Sequence, residues 1–320
     1  MRAVQSIRDI GEFGLIARIE ALARRALAGA PGRSVALGIG DDAALLRARS
    51  GEDVVVTTDA LVQGVHFDFA HESPRVAGRR ALAANLSDIA AMGARPLGFV
   101  VAMSAPASTP VAHALGMARG MLDLAVRFSC PLVGGNLARA SEIGVAITAI
   151  GTVKRGRALR RSGACVGDRV FVTGTLGGAA LARASGRVRA AAEPRVAAGQ
   201  ALARVRGVGA CIDVSDGLAG DLAHICRASG LSVRLDLATV PMPRGFATAC
   251  ARLGRDPLRL ALAGGEDYEL LFTARGAAAR TEVLTRRLGV PVTEIGRVEA
   301  GRPAVLGLPR AIGQAGFRHF

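Results

Sequence analysis

Between residues 12 and 27 apolar side chains recur every three to five positions (Phe13, Ile16, Ile19, Leu22, Leu27), the spacing of a helix with one buried face. Val54-Val55-Val56-Thr57-Thr58 is a β-branched run and predicts a strand that ends at Asp59. Ser73-Pro74 supplies an N-cap and a proline at the first helical position, so a helix is expected from there to about Met92, stopped by Gly93. Further strands are expected over 97–103, 143–153, 169–172, 210–213, 269–273 and 292–298, and further helices over 109–128, 193–204, 217–229 and 276–288. Strands and helices intermix without strict alternation, which favours an α+β fold with mixed sheets over a doubly wound one. The basic stretch from Lys154 to Gly163, followed by the turn signal Gly167-Asp168, is the expected boundary, giving domains 1–155 and 156–320.

Onto this pattern the chain places five acid clusters, each among glycines or small residues, although the protein as a whole carries a formal charge of +15. They are Gly38-Ile39-Gly40-Asp41-Asp42, Thr57-Thr58-Asp59, Asn85-Leu86-Ser87-Asp88, Asp213-Val214-Ser215-Asp216-Gly217 and Gly264-Gly265-Glu266-Asp267-Tyr268-Glu269. Carboxylates that only solvate a surface need no glycine beside them. Carboxylates that meet a hard cation and its phosphates do, because backbone and ion must approach closely. A Mg²⁺–polyphosphate site drawn from distant segments is the first expectation.

Most of these segments also have a plainer reading. Gly38 to Ala43 fits the spacing of a dinucleotide fingerprint, but two aspartates at its variable positions would repel a pyrophosphate unless a cation lay between; the alternative is a tight turn. Thr57, Thr58 and Asp59 offer oxygens to a cation or simply end a strand. His66 is either a substrate contact or a turn histidine. Asn85 and Asp88, at i and i+3, are expected to project together from a helix whose apolar stripe is Leu82, Leu86 and Ile89. Gly134-Gly135-Asn136 brings backbone near phosphates or makes an ordinary turn. Helix capping accounts for one acid of Asp213 and Asp216, not for both plus Ser215.

Composition removes other classes. Only one of the 41 basic residues is lysine (Lys154), aromatics make up 3% and tryptophan is absent, so no arginine block is interleaved with stacking residues and nucleic acid is not an expected partner. The charge is read as attracting anionic small substrates. No apolar run reaches the roughly 18 residues of a membrane span, and the start shows no secretory core. The five dispersed cysteines suit reduced thiols, and a soluble cytoplasmic protein is expected. Neither a P-loop nor protein-kinase signatures occur, so any ATP must be held by cations and arginine.

Taken in order, these segments resemble the thiamine-monophosphate kinase family, in the superfamily of aminoimidazole ribonucleotide synthetase and selenophosphate synthetase. The resemblance runs from Gly11-Glu12-Phe13 through Gly38–Leu46, Thr57–Phe67, Asn85–Ala94, Arg161-Ser162-Gly163, Ile212–Leu218 and Gly264–Leu270 to Gly316-Phe317-Arg318-His319-Phe320. It implies a two-domain aminoimidazole ribonucleotide synthetase-like architecture: an N-terminal mixed sheet that forms a barrel with a second copy, and a C-terminal α/β domain completing the active-site cleft. The implied reaction is phosphorylation of thiamine monophosphate by ATP. Asp42, Thr57, Thr58, Asp59, Asp88, Asp213 and Asp216 would be Mg²⁺ ligands; Gly135, Arg161 and Ser215 would contact ATP; His66, Glu266 and Phe317 would touch thiamine monophosphate. Asp59, Asp216 and Arg161 would carry the catalysis. Asn136 departs from the family, where Asp often serves as a metal ligand; the amide keeps an oxygen and loses the charge. The rival selenium chemistry would need a reactive cysteine in an N-terminal Gly-rich loop, and the first cysteine here is Cys130.

Overall fold

A computed structural model describes residues 4–27, 34–39, 43–186, 193–309 and 312, so the expectations on Asp42 and Phe317 fall outside the described residues. The chain forms two compact units, one of the described residues up to Ile89 together with Arg95–Thr152, the other of Ala90–Ala94 and the described residues from Val153 onward.

In chain order the first unit begins with α1 (Ile7–Leu27), β1 (Val35–Leu37), β2 (Leu45–Leu46), β3 (Glu52–Val62) and α2 (Pro74–Ala91). It continues with β4 (Arg95–Ala105), α3 (Val111–Phe128), β5 (Leu132–Arg139) and β6 (Gly144–Lys154). β1 and β2 pair as a short ribbon, while the main sheet has the order β3-β6-β4-β5. β4 runs parallel to β5 and antiparallel to β6, which makes the sheet mixed. α2 begins at the expected Ser-Pro and is buried nearly all round: Ala81, Leu82, Leu86 and Ile89 are each at most 1% exposed. α2 and α3 pack backbone to backbone, because a Cβ at Gly78 would strike the Met117 carbonyl and one at Gly120 the Arg75 carbonyl.

The second unit comprises β7 (Arg169–Thr173), α4 (Gly178–Ala184), α5 (Val196–Leu202), β8 (Val208–Asp213), α6 (Leu218–Ser229) and β9 (Ser232–Leu235). After these come α7 (Phe246–Arg252), α8 (Pro257–Ala263), β10 (Leu270–Ala274), α9 (Thr281–Leu288), β11 (Val292–Glu299) and β12 (Ala304–Leu306). Its six-stranded sheet has the order β12-β9-β11-β7-β10-β8, antiparallel except for β12 against β9. One face packs on α6 through Leu218, Leu222 and Ile225 against Ile212, Leu271 and Val298. β8 and β10 pair so that Asp213 lies opposite Leu270, which brings the ends of two acid segments side by side.

The elements follow the sequence with several differences: β3 runs past its expected end at Asp59 to Val62, and the short ribbon of β1 and β2 was not expected. Gly134-Gly135, read as a possible turn, lies inside β5, where Gly135 is required because a Cβ would meet the Val101 carbonyl. The seven-residue helices α4, α7 and α8, and the short strands β9 and β12, are too brief to show a period and were not expected.

Candidate active site

In the first unit Thr57, Asp59 and Asp88 gather on one face of the sheet. Alternation along β3 sends Thr57 and Asp59 to the same side, and there the Thr57 hydroxyl donates to the Asp88 carboxylate presented by α2. Thr58 points to the other face, donating to the Ile147 carbonyl at 3.1 Å and accepting from the Thr148 hydroxyl at 3.2 Å. Asn85 does not project beside Asp88 as expected. It is fully buried, its amide donates to the Ala81 carbonyl at 3.0 Å, and its Oδ1 has no hydrogen-bond partner among the described residues.

Asn136 and Gly135 sit on β5, the edge opposite β3. Three strand spacings of about 4.8 Å put them roughly 14 Å from Thr57–Asp59. Within one chain, therefore, Asn136 and the β3 oxygens do not address the same ion. Both β5 residues are exposed, and β5 borders an apolar cavity lined by Ile16, Ile19, Ile39, Met103 and Met117.

His66 is tied into a turn. Its Nδ1 accepts from the Val62 N–H at 3.1 Å, which leaves the proton of the neutral ring on Nε2. Its carbonyl accepts from Arg80 at 3.0 Å, and Arg80 in turn holds Glu72 at 2.6 Å.

In the second unit the two acid loops are laced together. The Glu266 N–H donates to Ser215 O at 2.8 Å, the Tyr268 N–H to Val214 O at 2.9 Å, and the Val214 N–H to Glu269 O at 2.8 Å. The lacing needs glycine: Gly265 has φ 63°, and a Cβ there would lie 2.6 Å from Ser215 O. Glu266 and Tyr268 also adopt the left-handed region, φ 60° and 52°, where side chains are disfavoured by about 1–2 kcal/mol. The loop is thus held in shape by its surroundings.

Its acids divide by task. Asp267 is buried and accepts from the Gly177 and Ala179 N–H groups at 2.7 and 3.2 Å. Glu269, also buried, receives Thr173 Oγ1 at 2.6 Å and both arms of Arg195 at 2.7 and 2.6 Å. Glu266 alone is partly exposed, paired with Arg183. Across the lacing, Asp213 is buried while Ser215 and Asp216 are half-buried. Arg161 is exposed, and its charge, after burial and Arg227, helps to depress the pKa of His224, which Asp216 partly offsets; Arg161 and Asp216 therefore flank the same histidine.

Burial pushes the Asp267 carboxyl up from 3.8 to about 6. A carboxyl whose folded pKa exceeds its unfolded one favours folding below about pH 4, and that contribution is lost as pH rises through 6, up to about 3 kcal/mol. Calorimetry from pH 4 to 8 is expected to show this loss in the wild type and its absence in Asp267→Asn. Equal slopes in the two proteins would refute it.

The sequence did not point to Asp221. This buried acid, in the first turn of α6, accepts on its Oδ2 the N–H groups of Ser215, Asp216 and Gly217, each at 3.1 Å. Burial, then the like charges of Asp213 and Asp216, push its carboxyl well above the usual range. The carboxylates of Asp213, Asp216 and Asp221 crowd together here. Such crowding, with an all-oxygen donor set, suits a hard divalent ion. No group of three or more His, Cys, Asp or Glu forms a preformed metal cage among the described residues. Any ion would take hydroxyl, water or phosphate oxygens as well, as Mg²⁺ commonly does.

Comparison with known proteins bears on this chemistry. Residues 40–153 match the family described as AIR synthase related protein, N-terminal domain, and residues 166–307 its C-terminal domain. The chain is 41% identical over 278 residues to a thiamine-monophosphate kinase of Mycobacterium tuberculosis, covering 83% of this chain and 81% of that one. Among solved structures, a thiamine-monophosphate kinase from Stenotrophomonas maltophilia K279a aligns with a TM-score of 0.79 and 37% identity, over 91% of this chain and 96% of that one. A structure of AaThiL complexed with AMPPCP and TMP aligns with a TM-score of 0.71 and 28% identity, over 100% of this chain and 99% of that one. No helix of the described residues is long and apolar enough to cross a membrane.

Proposed function

The chain belongs to the AIR synthase related family and, within it, to the thiamine-monophosphate kinases, and from that premise we propose that it transfers the γ-phosphoryl group of ATP to thiamine monophosphate, giving thiamine diphosphate and ADP. The observation that carries the reading is the relatedness over most of the chain, and the lacing of the acid segments Asp213–Gly217 and Gly264–Glu269 supports it.

The attacking group is a phosphate oxygen of the monophosphate, already ionised near neutral pH, so no strong general base is needed. The bond to that oxygen forms as the bond between the γ-phosphorus and the β–γ bridging oxygen breaks, and ADP leaves with the electron pair. The obstacle is bringing two polyanions together. Bound Mg²⁺ would neutralise that repulsion and polarise the transferred group. In the first unit Thr57, Asp59 and Asp88 are the oxygens proposed to hold Mg²⁺, and in the second Asp213 and Asp216; Thr58, Asn136 and Asp42 are proposed as ligands of separate ions. Arg161 supplies a positive charge for phosphate oxygens. Gly135, without a side chain, admits the nucleotide to the backbone of β5, and Ser215 offers a hydroxyl from the laced loop. His66 and Glu266 are assigned to the thiamine half with Phe317. We further propose residues 1–155 as the nucleotide-binding and dimerising half, a homodimer barrel formed by the N-terminal sheet, and a cytoplasmic location.

The test is ADP release measured with and without thiamine monophosphate. ADP formation that depends on the monophosphate, with Mg²⁺ required, is the expected result. ATP turnover indifferent to it would overturn the assignment.

A further inference from the structure

We propose that Asp221 is a positioning residue that sets the Asp213–Asp216 segment for metal binding, by taking three successive backbone N–H groups on one oxygen. This rests on the metal reading given above and deepens it.

The geometry is specific. β8 ends at Asp213 and α6 starts at Leu218, so only Val214 to Gly217 make the turn. The N–H groups of Ser215, Asp216 and Gly217 all converge on Asp221 Oδ2 at 3.1 Å. The Asp221 N–H returns to the Gly217 carbonyl at 3.0 Å, closing a ring. Val214 N–H and O and Ser215 O are taken by the facing acid loop. Gly217, the N-cap residue of α6, has no side chain to offer as a cap.

A helix N-terminus by itself needs a cap and nothing more, and serine or asparagine caps suffice at ordinary helices. Here the group that takes the N–H groups preceding the helix is a carboxyl, 1% exposed, close to two further carboxyls. Burying an acid among acids costs stability. It is tolerated because one oxygen satisfies three successive donors at once, fixing the turn so that Asp213, Ser215 and Asp216 leave it in set directions. Outer partners that orient metal ligands in this way typically contribute a factor of about 10–100 in metal affinity.

The test is Mn²⁺ binding, read by electron paramagnetic resonance in the presence of AMPPCP, for the wild type, Asp221→Ala and Asp221→Asn. Removing the acceptor in Asp221→Ala is expected to weaken Mn²⁺ binding by about tenfold or more. Asp221→Asn keeps a carbonyl oxygen in the same place and is expected to restore affinity to within about threefold of the wild type, a rescue that a role in charge alone would not give. Should Asp221→Ala fail to fold, Asp221→Ser, whose short hydroxyl reaches fewer of the donors, takes its place with the same expected loss. Unchanged affinity in the folded Ala or Ser variant, or an Asn variant as weak as Ala, overturns the positioning role. A wild type that binds no Mn²⁺ overturns the metal reading itself, and ADP release that ignores thiamine monophosphate overturns only the assigned substrate.

Discussion

Asp216→Ala is expected to lower kcat/KM for thiamine-monophosphate-dependent ADP release by about a thousandfold or more, equivalent to about 4 kcal/mol of transition-state stabilisation, with the melting temperature little changed. The separation of activity from stability follows from how the residue is held. Its backbone N–H is anchored by Asp221, whereas its half-buried side chain makes no hydrogen bond or ion pair within the described residues. Truncation therefore removes a ligand and leaves the turn intact. The loss concerns charge that matters most when the γ-phosphoryl group is in flight, so it should appear in kcat and persist at saturating ATP. Asp59→Ala, on the Asp88-facing side of β3, is expected to behave alike. Near-normal turnover by either purified variant would remove that residue from the chemistry.

How much of this was legible in the chain depends on the length over which a pattern repeats. β3, α2, β6 and α6 were visible because β-branched runs, a Ser-Pro start and three-to-four spacing mark elements of 11 to 18 residues. β5 was hidden because a glycine pair is as typical of turns as of strands that another backbone approaches; only the Val101 carbonyl decides between them. The acids were found as clusters, but their division of labour was not. In Glu266-Asp267-Tyr268-Glu269 two of the three carboxylates are internal fasteners, Asp267 on the start of α4 and Glu269 on Thr173 and Arg195. Their partners lie 74 to 96 positions away in the chain, where no local pattern reaches. Asp221 looked like any polar residue in the first turn of a helix. Its spacing from Asp216 is a signal only once the turn's unpaired N–H groups are counted.

Arg80→Ala is expected to destabilise the first unit by about 3–5 kcal/mol, the usual cost of breaking a buried pair by removing one partner. The Arg80 and Glu72 side chains are 6% and 5% exposed and meet at 2.6 Å, so truncation leaves a carboxylate inside the protein without its countercharge. For a unit of this size the melting temperature should fall by roughly 6–20 °C, read by scanning calorimetry on the full chain. Replacing both partners by apolar residues of similar volume, Arg80→Met with Glu72→Leu, should recover most of the loss, because no unpaired charge remains. Recovery of stability should not bring recovery of binding. The same guanidinium fixes the His66 carbonyl at 3.0 Å, and His66 is the residue assigned to thiamine monophosphate in this unit. The double variant should therefore fold yet show a raised KM for thiamine monophosphate with that for ATP nearly unchanged. A melting temperature within about 2 °C of wild type for Arg80→Ala would show that the pair is not buried in solution, and a wild-type KM in the double variant would detach His66 from the substrate.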